Sequence, residues 1–176
     1  KKSVFIVSRD AHKSVFDALE LTQCDAYVLP CTTDEQFGVS RGADYSRIGD
    51  VLEQFRTAHG QTADIAGIFI TRPTYQGLAL HSNNFLSVVA ACHRAGVPVV
   101  VDEAHGAHWR LLPEGQGYGD ALSCGADLVV QSTHKTLGAL SQAGMLHLGT
   151  DAFQCCGHRE GKAAERVVHR YYSTLT

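Results

Sequence analysis

The chain has 176 residues, 44% of them apolar, and 15 Lys and Arg stand against 18 Asp and Glu for a net charge of −3. Adding the 17 glycines gives an ordinary globular composition, which excludes a disordered or collagen-like chain. The charge balance leaves no broad basic surface for nucleic acid, and runs such as Val97-Pro98-Val99-Val100-Val101 are far too short to cross a bilayer. With no basic-then-apolar segment at its start, the chain is expected to be one soluble, cytoplasmic domain that touches neither nucleic acid nor membrane. Its single methionine is Met145, and Lys1-Lys2-Ser3 leads straight into a strand, so an excised piece of a longer polypeptide is expected.

In chain order, strands are predicted over Ser3 to Ser8, Asp25 to Leu29, Ile65 to Thr71, Val97 to Asp102, Asp127 to Ser132 and Gly144 to Gly149. Most are continuous apolar runs, the pattern of strands buried on both faces of a parallel sheet. Helices are predicted over His12 to Leu21, Asp44 to His59 and Ser82 to Ala95. In the last, Phe85, Val88, Val89 and Cys92 repeat at helical spacing, with Ser82 placed to cap the start and Gly96 to end it. Alternating strands and helices imply an α/β fold with a mainly parallel sheet, right-handed crossovers and helices on both faces. Ligands of such sheets bind beyond the carboxyl ends of the strands.

The cysteines at 24, 31, 92, 124, 155 and 156 include no Cys-x-x-Cys pair, so reduced thiols are expected. The nearest approaches to a metal set are His105 with His108 and Cys155-Cys156-Gly157-His158. Neither supplies two ligand pairs at zinc-finger spacing, and no metal is expected.

Four polar segments follow the strands: Arg9 to Ser14, Thr71 to Gly77, Asp102 to His108 and Gln131 to Leu137. Singly, each has a plain explanation: a solvated loop carboxylate at Asp102, a first-turn histidine at His12, a surface lysine at Lys135. Together, a lysine, a carboxylate and histidines around one crevice suit imine chemistry with an aromatic cofactor. The lysine can form a Schiff base, and the acid can hold a pyridinium proton.

In their order and wording these segments resemble the ornithine/lysine/arginine decarboxylases, a family of fold type I pyridoxal-phosphate enzymes. The similarity rests on Ser8-Arg9-Asp10-Ala11-His12-Lys13-Ser14, on Thr71-Arg72-Pro73-Thr74-Tyr75-Gln76-Gly77 and on Val101 through His108. Its most specific part is Ser132-Thr133-His134-Lys135-Thr136-Leu137, with Ala139-Leu140-Ser141-Gln142 behind it. The resemblance implies pyridoxal 5'-phosphate as cofactor and decarboxylation of lysine, ornithine or arginine to an amine, chemistry tied to polyamine biosynthesis. It implies Lys135 as the imine-forming lysine, Asp102 as the partner of the pyridine nitrogen, and His12 stacked on one ring face with Ala104 against the other. Ser132 and His134 would reach the phosphate, and His105 the phenolic oxygen; Thr74 and Tyr75 would lie nearby without a catalytic task.

Asp10 stands where the family often has Asn, and Ser141 where Thr is common. The family's glycine-rich phosphate loop and small domain have no counterpart in residues 1–176. The chain therefore reads as the central part of a transferase-like large domain from a homodimer or higher homo-oligomer, truncated at both ends. On its own it is expected to bind cofactor weakly and to turn over little.

Other readings are weaker. An α-oxoamine synthase also carries Asp-Glu-Ala-His, but its lysine loop reads Ser-Lys and it lacks the His12-Lys13-Ser14 turn. Asp102-Glu103-Ala104-His105 spells a helicase signature, yet no Gly-Lys-Ser/Thr loop precedes it, and Gly157 through Ala163 is one residue short and too late. Ala121 through Gly125 differs from a hydrolase nucleophile elbow because a strand follows it. A non-catalytic homologue would have little reason to keep Lys135, Asp102 and His12 together.

Overall fold

The computed structural model describes residues 3–59, 65–113, 118–152 and 154. Its strands are β1 (Val4–Ser8), β2 (Asp25–Leu29), β3 (Cys31–Thr33), β4 (Ser40–Ala43), β5 (Ile65–Thr71), β6 (Val99–Asp102), β7 (Leu128–Gln131) and β8 (Met145–Leu148). Its helices are α1 (Lys13–Leu21), α2 (Ile48–His59), α3 (Ser82–Arg94) and the single turn α4 (Thr133–Thr136), with 3-10 turns at Tyr45–Arg47 and Ala107–Leu111.

Six strands form one sheet in the order β2-β1-β5-β6-β7-β8. All neighbours run parallel except β8, which lies antiparallel to β7. From β1 the chain steps outward to β2 and then returns past β1 to β5, β6 and β7, so the winding direction reverses between β1 and β5. Such a reversal splays the loops apart and opens a crevice at the carboxyl ends of the strands.

The two faces of the sheet are unequal. Ile6, Ile68, Ile70, Val99, Val101 and Val129 face a core shared with Leu52 and Phe55 of α2 and Phe85, Val88, Val89 and Cys92 of α3. Complete burial of a side chain such as Phe85 stabilises the fold by about 1.5–3 kcal/mol. On the opposite face Phe69, Val100 and Val130 meet Val15 of α1 around a cavity. Burial of every strand on both faces is therefore not observed: Val130 is 42% exposed, and Tyr27 and Val28 of edge strand β2 are 41% exposed.

Several boundaries shift for local reasons. β6 starts at Val99 because Pro98 has no N–H to give the ladder, and the Val97 amide turns back to the Cys92 carbonyl. The stretch from Asp44 opens as a 3-10 turn, with the Asp44 carboxylate accepting from the Ser46 amide. α3 is capped by His81, while the Ser82 hydroxyl accepts from the Gly119 amide at 2.6 Å. Gly96 does end this helix, with φ of 70° in the left-handed region that glycine enters freely. The antiparallel β3–β4 pair has no counterpart in the expected elements, since Cys31–Thr33 and Ser40–Ala43 are short and lack an apolar run.

Candidate active-site crevice

The crevice collects the loops after β1, β5, β6 and β7. Side chains alternate across each strand, so Phe69 and Thr71, Val100 and Asp102, and Val130 and Ser132 share one face. Parallel pairing sets Thr71 beside Asp102 and Asp102 beside Val130, which brings these residues to one level. His12, Ser14 and Val15 close the side toward α1, and Pro73, Tyr75, Ala104, His105 and Lys135 complete a cavity of about 240 Å³.

His12 is fixed as the N-cap of α1. Its Nδ1 accepts from the Ser14 amide at 3.2 Å and lies 2.7 Å from the Ser14 hydroxyl. An Nδ1 used as an acceptor places the proton of the neutral ring on Nε2. Asp102 ends β6, and its Oδ1 accepts from the Ala104 amide at 3.0 Å, which locks the turn that presents Ala104 and His105. Ser132 precedes α4 and makes no side-chain capping bond to it.

Lys135 projects from α4 so that its Nζ lies 3.4 Å from His105 Nε2. Burial holds the His105 imidazole below its ordinary value of 6.5; the Lys135 charge adds to this, and the Asp102 carboxylate opposes it. A neutral imidazole can accept a hydrogen bond from the lysine amine, which an imidazolium cannot.

Of the residues expected in the site, His12, Asp102, Ala104, His105, Ser132 and Lys135 line this one cavity. His134 is not among its lining residues. Its Nδ1 lies 2.6 Å from the Ala143 carbonyl oxygen, because successive residues of a helical turn point about 100° apart and Lys135 takes the crevice side. Tyr75, given no role from the sequence, stacks against His12 with centroids 5.9 Å apart and meets His105 edge-on at 5.9 Å. Burial, aided by the Asp102 carboxylate, pushes its phenol above the ordinary 10.0.

Asp10 turns from the crevice toward Ser8 and toward Ser40 of β4. Among the described residues no group of three or more His, Cys, Asp or Glu could hold a metal, and no helix is long and apolar enough to cross a membrane. The grouping Cys155-Cys156-Gly157-His158 and the segment Gly157 through Ala163 lie outside the described residues.

The family described as Orn/Lys/Arg decarboxylase, major domain, matches residues 1–153. An uncharacterized protein of Bacillus subtilis, YaaO, is 38% identical over 146 residues, 82% of this chain and 28% of that protein. An arginine decarboxylase of Halalkalibacterium halodurans is 32% identical over 174 residues, 97% of this chain and 30% of that enzyme. The chain thus spans about 30% of the length of these relatives. Among solved structures, a pyridoxal-phosphate-bound putative aminotransferase from Clostridium difficile 630 superposes with a TM-score of 0.61 at 13% identity, covering 95% of this chain and 41% of that one. Cystalysin from Treponema denticola gives 0.61 at 10% identity, covering 88% and 38%. At these identities the structural likenesses establish the fold, a pyridoxal-phosphate-dependent transferase-like α/β domain.

Proposed function

The chain belongs to the Orn/Lys/Arg decarboxylase major-domain family, and on that footing we propose that it forms the central, cofactor-binding part of a pyridoxal-phosphate-dependent decarboxylase of basic amino acids. The observation that carries this reading is the convergence of Lys135, Asp102 and His12 on one crevice, from three separate segments of the chain.

The side chains present suit the cofactor. A primary amine and a carboxylate face a cavity whose other walls include the apolar Val15, Phe69, Val100, Ala104 and Val130. That combination matches a flat ring with an aldehyde on one edge and a basic nitrogen on another. When bound, pyridoxal phosphate supplies an electron sink for the bond between the α-carbon and the carboxylate of the amino acid.

The remaining work falls to the chain itself. The Lys135 amine anchors the cofactor, and His105 Nε2, 3.4 Å from Nζ, is placed to orient that amine by accepting one of its N–H bonds. Asp102 holds a fixed negative charge at the end of β6, in a partly enclosed site where it acts more strongly than in water. His12, oriented by its capping bond, walls one face of the ring, and Ala104 leaves room at the other. Ser132, with no capping bond to make, offers its hydroxyl to the phosphate.

Titration of the chain with pyridoxal phosphate tests the cofactor, and amine release from arginine, lysine and ornithine tests the reaction. A lysine-linked absorbance lost in Lys135→Ala is expected. Equal binding to Lys135→Ala, or none to the parent chain, would overturn the assignment.

A further inference from the structure

Behind the crevice floor lies a second set of polar side chains. Arg72, Glu103 and Gln131 each stand one position from crevice-lining residues: Thr71 and Pro73, Asp102 and Ala104, Val130 and Ser132. By strand alternation they point to the opposite face, where Arg72 is 1% exposed, Glu103 0% and Gln131 6%.

They are bonded to one another and to the core wall. Glu103 accepts from the Gln131 side-chain amide at 2.6 Å and from the Ala121 backbone amide at 2.8 Å, and Arg72 Nη1 lies 3.7 Å away. Arg72 donates to the carbonyls of Leu80 at 3.0 Å and Gly119 at 2.8 Å, with its guanidinium between the rings of Phe85 and Trp109. At the far end Gln131 Oε1 lies 3.0 Å from His147 Nε2 of β8. Since the amide of Gln131 donates to Glu103, its oxygen faces His147, and His147 must carry its proton on Nε2.

We propose that Arg72, Glu103 and Gln131 are positioning residues: a buried strut across the ends of β5, β6 and β7 that sets Asp102 and Ser132 relative to each other. This deepens the function proposed above and rests on it only for the cofactor. A loop carboxylate held by its own turn alone could swing. The backbone of Glu103 is pinned through its side chain to the strand on one side and to the Ala121 segment on the other. The six residues between Asp102 and Trp109 are thereby tied down at the first of them, Glu103.

The strut has a spectroscopic consequence that general destabilisation lacks. In Glu103→Gln the new amide can still accept from Ala121, but it must donate where the carboxylate accepted. Gln131 then turns its amide over, and His147 must present an Nε2 lone pair, moving its proton to Nδ1. Nitrogen-15 shifts of His147, recorded near pH 8 without cofactor, should show this exchange of tautomer, with cofactor affinity kept within about threefold.

Gln131→Leu removes the link outright. Amide exchange at Ala104 and Ser132 should then quicken at least tenfold, and cofactor affinity should fall tenfold or more with an altered absorbance maximum. Wild-type exchange in Gln131→Leu, or an unchanged His147 tautomer in a folded Glu103→Gln, overturns the proposal whether or not cofactor binds. Absence of lysine-linked absorbance in the parent chain, with both NMR effects present, would instead overturn only the proposed function.

Discussion

The His12 and Tyr75 rings lie nearly parallel, 25° apart, with centroids separated by 5.9 Å. Because Tyr75 also meets His105 edge-on, one tyrosine spans two imidazoles delivered by separate strand ends. Tyr75 is 55% exposed, so each ring contact falls at the low end of about 0.5–1.5 kcal/mol. Tyr75→Phe keeps both contacts and should hold pyridoxal phosphate within about twofold of the parent. Tyr75→Ala should weaken binding roughly three- to tenfold. Absorbance titration measures both, and parent-like affinity in the alanine variant would remove Tyr75 from the crevice's working parts.

The titration of His105 reports its two charged neighbours separately. Burial and the Lys135 charge hold the imidazole below 6.5, and Asp102 pulls it the other way. Removing the cation in Lys135→Met should raise the midpoint followed by NMR. Removing the carboxylate in Asp102→Asn should lower it further. For folding the sign is fixed: the unfolded chain takes up this proton first as pH falls, so the contribution of His105 to stability declines on acidification through the ordinary imidazole range. Midpoints that move together in the two variants would contradict the geometry of the Lys135–His105 pair.

The crevice was legible because strand ends are. Val99-Val100-Val101 announces a buried strand, and the polar residue that follows, Asp102, must surface at its carboxyl end. What lies behind the crevice left a fainter trace. Arg72, Glu103 and Gln131 each follow or end an apolar run, yet their mutual bonding depends on sheet order and register, which no local pattern encodes. The β3–β4 pair escaped for another reason: its strands are too short and polar to stand out from a loop. His134 and Lys135 are neighbours in one motif, but helical geometry sends only Lys135 to the crevice.

Glu103 should leave its mark on the pH dependence of stability, with the opposite sign to a salt-bridged carboxylate. Burial pushes it from 4.5 up to about 7, against the hydrogen bonds from Gln131 and Ala121 and the charge of Arg72. The folded chain then holds this proton where the unfolded chain has released it. The resulting stabilisation is full below the unfolded value of 4.5 and disappears as pH rises through about 7. Urea unfolding at intervals across that window should show the parent losing stability relative to Glu103→Gln as pH rises. Parallel curves would mean that Glu103 stays ionised throughout.

Gly106 lies in the turn after Asp102, packed against the side-chain stem of this buried glutamate. A Cβ added there would stand 2.6 Å from Glu103 Cγ, 3.1 Å from Pro73 Cδ and 3.2 Å from Trp109 Cε3. Glu103 is wedged between bonded neighbours and cannot retreat freely, so Gly106→Ala should cost about 1–3 kcal/mol in urea unfolding, the usual range for overpacking. Gly49 provides the control: it lies in α2 with nothing within 4 Å of the added carbon. Gly49→Ala should be neutral or stabilise the fold by up to about 1 kcal/mol through the helix propensity of alanine. A shift of Glu103 also moves the backbone that carries Asp102 and Ala104, so Gly106→Ala should weaken cofactor binding at temperatures where the chain remains folded. Gly49→Ala should leave it unchanged. If Gly106→Ala lowers stability but binds pyridoxal phosphate like the parent, the turn tolerates the displacement and the crevice is less dependent on Glu103 than its packing indicates.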